Sequence, residues 1–479
     1  MHRYESPSMF FEIALAGRTV KTVLGKRGKP GKSKVRTYAT EEAAKAAHDH
    51  ELTAKTKNSY ELVPAKLVTS TRTFERAGKS WELTLDDPSP EALAAYNKKL
   101  ADKLRAGFVE RGPRNAELEQ AIEADPYDAT AYSVYADWLQ GQGDPRGELI
   151  ALQLAGKSIP AVDYITEHAS VLLGPLAAHV KCYDGLYYKP APDAFIWKHG
   201  FIHRARMSFN QYWEDAFKGD IAQVLETLLR HPSGRFLAEL TLMYNDDPSD
   251  DDLQSLIDVL AKLAPPSLRK IVIGDDVDQI SWYQVGNLSK LWAAVPGLEV
   301  FEVEAGSFTL GKLELPALRR AIFTTGGLSQ ASGKAIAAAS WPQLEQLEVC
   351  YGDDDYGGEC TIKQVLPLLD RTDLPKLVRL GLKDAMFADE ICAALPKSKL
   401  LRQLKHLDLS LGLLSDDGAK TIAAHRDAFA HLEVLDVSKN YLTPAGIRLL
   451  KGAARKIITA DQKEIMADDP EFRYVSIGE

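Results

Sequence analysis

The chain has 479 residues, of which 45% are hydrophobic and 26% charged, with a formal charge of −9. At roughly 150 residues per domain this is about three domains, and the composition excludes disordered and collagen-like classes; no run reaches the ~18 apolar residues of a membrane span. Charge is uneven: residues 1–115 hold 22 Lys+Arg against 14 Asp+Glu (+8), and the remainder holds 36 against 53 (−17). A basic front and an acidic back point to an anionic partner for the front, or to docking of the front onto the back.

The opening residues (MHRYESPSMFFEIALAG) lack a basic stretch followed by an apolar core, and the four cysteines (Cys182, Cys350, Cys360, Cys392) are too few and irregular for a disulfide framework or a metal site. A cytoplasmic location is expected. Residues 9–62 read as short strands (MFFEIALAG, RTVKTVLGK, KVRTYA) followed by a helix that Thr40 caps. This stretch resembles the WGR domain, a sheet-plus-helix module of DNA-dependent poly(ADP-ribose) polymerases and many bacterial proteins, with Leu24-Gly25-Lys26 in place of its Trp-Gly-Arg triplet. Where such domains bind DNA ends, the family Trp and Arg touch the nucleic acid.

Between residues 18 and 36 stand eight basic residues and no acid: Arg18, Lys21, Lys26, Arg27, Lys29, Lys32, Lys34 and Arg36. They suit phosphate contact, the acidic half of the chain, or simply a solvated hairpin whose lysines block edge pairing. Gly31-Lys32-Ser33 is not a phosphate loop, because Lys26 stands where the leading Gly belongs and a strand follows where a helix is needed. Residues 66–114 echo the opening strands and helix without the basic hairpin, as a truncated second unit.

From Asn115 helices are expected: AELEQAIEAD, DATAYSVYADWLQGQ and PRGELIALQLA, with Asp144-Pro145 as cap and first helical position. Tyr-Ala-Asp-Trp-Leu followed by Gly-Asp-Pro-Arg-Gly-Glu resembles the bacterial repeat-companion domain, which sits beside repeat arrays with no activity implied. Asp137, Asp144, Arg146 and Glu148 are read as a hydrogen-bonded scaffold for this hairpin.

The remainder is periodic. L-x-x-L-x-L recurs at Leu237, Leu268, Leu298, Leu318, Leu344, Leu377, Leu404 and Leu432, at steps of 31, 30, 20, 26, 33, 27 and 28 residues, so that only the 20-residue step has no room for a helix. FIHRARMSF and ARKIITAD read as leading and trailing units. The array resembles leucine-rich repeats of the helix-containing ribonuclease-inhibitor type, with Asn440 at the position that bonds loop backbone in that family. The expected fold is multidomain α/β: WGR-like units over 1–65 and 66–114, a helical segment over 115–195, and a repeat solenoid with a parallel sheet and outer helices over 196–479.

Residues flanking the inner positions of each triplet face away from the core, giving a mixed charged surface that includes Glu302, Glu348, Arg379, His406, Asp408 and Asp436. Acids follow successive strands at Asp246-Asp247, Asp275-Asp276, Asp353-Asp354-Asp355, Asp384 and Asp416-Asp417. These are read as helix caps or as a rim for a basic partner. His199 and His203 are read as ordinary surface residues. No nucleophile elbow, zinc helix or dinucleotide fingerprint occurs, so neither catalysis, metal nor cofactor is expected. The expected function is a non-enzymatic protein-binding scaffold or sensor, with nucleic-acid binding through the basic hairpin as the alternative.

Overall fold

The computed structural model describes residues 2–5, 8–16, 18–26, 31–56, 61–63, 70–76, 79–85, 95, 99, 102–103, 109–110, 112–174, 176, 195–207, 221–244, 253–274, 279–465 and 473–477. Arg27, Lys29, Cys182, Asp246, Asp247, Asp275 and Asp276 lie outside them. The chain divides into two compact units, Met1–Arg111 and Gly112–Glu479.

In the first unit, strands β1 (His2–Glu5), β2 (Met9–Ala16), β3 (Thr19–Lys26), β4 (Lys32–Thr37) and β5 (Glu61–Val63) form an antiparallel sheet in the order β4-β3-β2-β1-β5. Helix Glu41–Thr56 starts where the Thr40 hydroxyl accepts the Ala43 amide, and it packs Ala44 against Phe11, Ile13 and Val20. A second sheet joins β6 (Ser70–Arg76), β7 (Lys79–Leu85) and β8 (Val109–Glu110), with Phe74 buried against Trp81.

The second unit opens with helices Ala116–Ala124, Ala129–Gly141 and Pro145–Leu154, started by the side chains of Asn115, Asp128 and Asp144. Strands β9 (Phe195–Lys198) and β10 (Phe201–Met207) form a hairpin. Its two turn residues, His199 and Gly200, both have positive φ (51° and 77°), the geometry of a type I′ turn. A Cβ at Gly200 would stand 2.5 Å from Ile150 and 2.9 Å from the Arg146 carbonyl, so the adjoining helix requires glycine there.

From β10 onward the sheet is parallel, running through β11 (Glu239–Leu242), β12 (Lys270–Ile273), β14 (Val300–Glu304), β16 (Arg320–Thr324), β17 (Gln346–Gly352), β18 (Arg379–Ala385), β19 (His406–Asp408), β20 (Val434–Asp436) and β21 (Lys456–Ile458). All eight triplets lie side by side: Leu240, Ile271, Phe301, Ala321, Leu347, Leu380, Leu407 and Leu435 are successive register partners. The outer units expected at FIHRARMSF and ARKIITAD add β10 and β21 in the same register. Alternation puts these residues on one face, where they bury against helices such as Leu253–Leu263, Gln330–Ala338, Ile362–Leu369 and Asp416–Ala424.

The 30-residue step from Leu268 departs from expectation. Its described residues hold no α-helix but short 3-10 turns at Ile280–Trp282 and Trp292–Ala294 around β13 (Gln284–Asn287). β13 pairs in parallel with β15 (Ser307–Thr309) of the next, shortest unit. Two adjacent units without helices thus cover each other's backs with a small outer sheet, and Trp292 closes it by donating its indole N–H to the Leu310 carbonyl at 2.6 Å.

Candidate functional site

Strand register sorts the basic hairpin. Cross-strand partners share a face, so Lys32 (opposite Leu24), Lys34 (opposite Thr22) and Arg36 (opposite Val20) lie on the helix-bearing face, with Lys26 on that face of β3. Lys21, opposite Val35, lies on the other face, and Arg18 sits in the β2–β3 turn, where it donates to the Ala39 carbonyl. All six residues of β4 are exposed, and Arg36 contacts Glu51 at 3.4 Å across 49% and 35% exposed side chains, a pair that water screens.

On the large sheet, the face turned away from the helices carries two rows set by register. The first runs Arg204, Glu239, Lys270, Val300, Arg320, Gln346, Arg379, His406, Val434, Lys456, with Lys or Arg at five of its ten positions. The second lies two residues further along each strand and places Glu302, Glu348, Asp408 and Asp436 together, interrupted by Ile322 and Gly381. The rows cross-pair at Arg320–Glu302 (3.0 Å).

Lys383 bridges Glu348 (3.2 Å) and Asp408 (3.7 Å). Burial opposes its charge, but the Cys350 thiol, Asp408 and Glu348 around it prevail and hold its ammonium above the ordinary range. Burial raises Asp408, which accepts the Ser410 amide, against the pull of Lys383. Asp436 accepts both the amide and hydroxyl of Ser438. His406 is held below its usual range by burial and by Arg379, with Glu433 at 3.7 Å opposing.

Asp353, Asp354 and Asp355 stand apart from these rows, past the end of β17, with ligand atoms within 4.8 Å of one another. Among the described residues, Asp384, Asp389 and Asp416 on this rim accept backbone amides. Asp389 accepts the amide and hydroxyl of Ser415, and Asp416 does the same for Thr443, so each helix's first turn fixes the cap of the next. Asp353 accepts the Asp355 amide, while Asp354, Asp355 and Asp417 are exposed.

Asn440 is buried, donates to the carbonyls of Leu409, Val437 and Ser438, and accepts the Leu414 amide. One unit later Gln462 repeats the arrangement, donating to Val437 and Thr459 and accepting from Leu442.

The helical segment is fastened by buried charge. Arg146 bonds both oxygens of Asp144 and the Ser233 hydroxyl, and Glu119 gathers Arg114, Arg235, the Tyr135 hydroxyl and the Asn115 amide. Arg269 takes the terminal carbonyls of Glu123 and Ala124, joining a repeat to a helix end. His199 and His203 are not surface residues. The hairpin turn and a bulge at His203 bury them against Tyr132 (4.7 Å between rings) and Tyr127 (5.2 Å). Among the described residues their Nδ1 atoms and the Tyr132 hydroxyl have no hydrogen-bond partner. Burial lowers His203 to about 4.

Residues 5–66 match the WGR domain family. The fold resembles the crystal structure of a Bacteroides fragilis protein, a structural-genomics target, at 17% identity over 99% of both chains with a TM-score of 0.50. An internalin from Listeria monocytogenes is similar at 16% identity, over 51% of this chain and 73% of that one, with a TM-score of 0.24. No curated protein matches the sequence. No described helix is long and apolar enough to cross a membrane.

Proposed function

We propose that this chain is a non-enzymatic, cytoplasmic protein-binding scaffold or sensor. In this reading the large sheet and its helices are a leucine-rich repeat solenoid, the helical segment is its companion at the leading edge, and the open strand face receives a protein partner. The observation that carries it is the charge pattern of the face, in which strands bearing Arg320 and Arg379 in the first row alternate with strands bearing Glu302, Glu348, Asp408 and Asp436 in the second. Such a face selects a surface with the opposite two-row pattern and repels its mirror arrangement. Stacked repeats make the recognition possible, because side chains from units 20 to 33 residues apart in sequence meet at strand spacing.

The test is affinity capture from native cell extract with wild type and with Glu302→Lys/Glu348→Lys/Asp408→Lys. Partners should be lost on reversal and kept with Asp417→Lys, an exposed acid off the face. Capture unchanged by the triple reversal would reject the reading.

A second reading, nucleic-acid binding by residues 5–66, is supported by the family's nucleic-acid-binding type and by Lys26, Lys32, Lys34 and Arg36 sharing one sheet face. Four phosphate contacts give a log-log salt slope of about −3.6 on duplex DNA, at ~0.9 per contact. Lys32→Glu/Lys34→Glu should abolish that binding and Lys21→Glu largely spare it; no binding of short duplex or single strands at low salt removes the reading.

A further inference from the structure

We propose that the rim beyond β18 is a second docking site, independent of the strand face, which holds an extended peptide by its backbone amides and which residues 473–477 occupy in cis. The receiving groups come from successive units. Asp384 Oδ1 accepts the amides of Ser476 (2.7 Å) and Ile477 (3.0 Å), and the Leu411 carbonyl also accepts from Ser476 (2.9 Å). The Tyr441 hydroxyl accepts the Tyr474 amide (3.0 Å), and Lys463 donates to the Tyr474 carbonyl (2.7 Å) with its ammonium over both tyrosine rings.

Every one of these hydrogen bonds reads main chain, and the Tyr474 ring adds a side-chain contact beneath the Lys463 ammonium. Val475 is the only buried side chain among the described residues of the segment (5% exposed), while Tyr474 and Ser476 are exposed. The site therefore accepts any extended segment that offers amides in this order around one small branched apolar residue, with an aromatic residue before it to meet Lys463.

Two features mark a receptor rather than a filler of space. Asp384 is fully buried in a left-handed conformation (φ 56°), and its Oδ2 has no hydrogen-bond partner, so the fold holds a costly acceptor at this point and satisfies it only with the segment's amides. The segment, for its part, orders five residues around one buried side chain, which places it among contacts that open locally and exchange with a competitor.

The test uses the full chain with Ser476→Pro/Ile477→Pro, which removes the amides that reach Asp384 and Leu411, and separately with Val475→Asp, which expels the anchor. The probe is a fluorescent peptide carrying residues 471–479 of this sequence. Anisotropy should show saturable binding at least tenfold tighter to either released variant than to wild type, where the cis segment competes. Adding Asp384→Leu, or N-methylating the peptide at the positions of Ser476 and Ile477, should lower affinity at least tenfold. No binding to either released variant, equal binding to wild type, or binding indifferent to N-methylation would overturn the proposal.

Discussion

Replacing Asp384 by Asn should remove the pH dependence that this side chain imposes. The carboxyl is fully buried and raised from 3.8 to about 7, first by burial and with Asp353 adding to it, against the amides of Ile477 and Ser476 and the ammonium of Lys463. A carboxyl raised in the folded state costs nothing below the unfolded value. Its contribution is lost as pH rises through the folded one. Between pH 5 and 7 the folded chain keeps a proton that the unfolded chain has released, so at ~1.4 kcal/mol per pH unit wild type loses on the order of 2–3 kcal/mol between pH 5 and 8. Asn keeps the acceptor oxygen for both amides, tolerates the left-handed conformation, and does not titrate. Its new amide donors are buried, a cost of ~1–3 kcal/mol that is nearly the same at both pH values. Urea unfolding of both proteins at pH 5 and pH 8 isolates the titration as a double difference, with Asp384→Asn gaining on wild type by ~2–3 kcal/mol at the higher pH. Parallel pH profiles would refute the reasoning.

Three further outcomes follow from the buried polar groups. Asn440→Ala leaves three carbonyls and one amide without their shared partner. It should cost ~2–4 kcal/mol in unfolding free energy, read from the denaturant midpoint. Glu119→Gln leaves Arg235, itself mostly buried, short of its counter-charge, and should lower stability by ~2–4 kcal/mol in the same assay. His203, lowered from 6.5 to about 4 chiefly by burial, contributes stability that is full above pH 6.5 and is lost as pH falls toward 4, so His203→Gln should flatten thermal stability across that window.

The repeat array was legible because each strand has an apolar alternation and each step a fixed length, and neither signal depends on distant partners. Chain-terminal pairing was not: His2–Glu5 and Glu61–Val63 are too short to show a pattern, and they become strands only by pairing with each other and with β2. The unit after Leu268 has the length for a helix, but Val285 and Phe308 are instead buried in the strands of a shared outer sheet. His199 and His203 looked like surface residues because nothing local to them buries them; the turn and bulge do so only once Tyr132 of helix Ala129–Gly141, and Tyr127 just before that helix, pack on the hairpin. Gln462 substituting for Asn440 was visible in principle, being the next residue with an amide side chain at the same place after the strand. Asp384 as an amide receptor was not, since its partners lie more than ninety residues away.

Carbodiimide footprinting of carboxylates, with and without a captured protein partner, addresses the scaffold reading most directly. Protection should concentrate on Glu302, Glu348, Asp408 and Asp436, with Asp417 labelled equally in both states. Protection confined to residues 1–111, with those four acids unchanged, would contradict it.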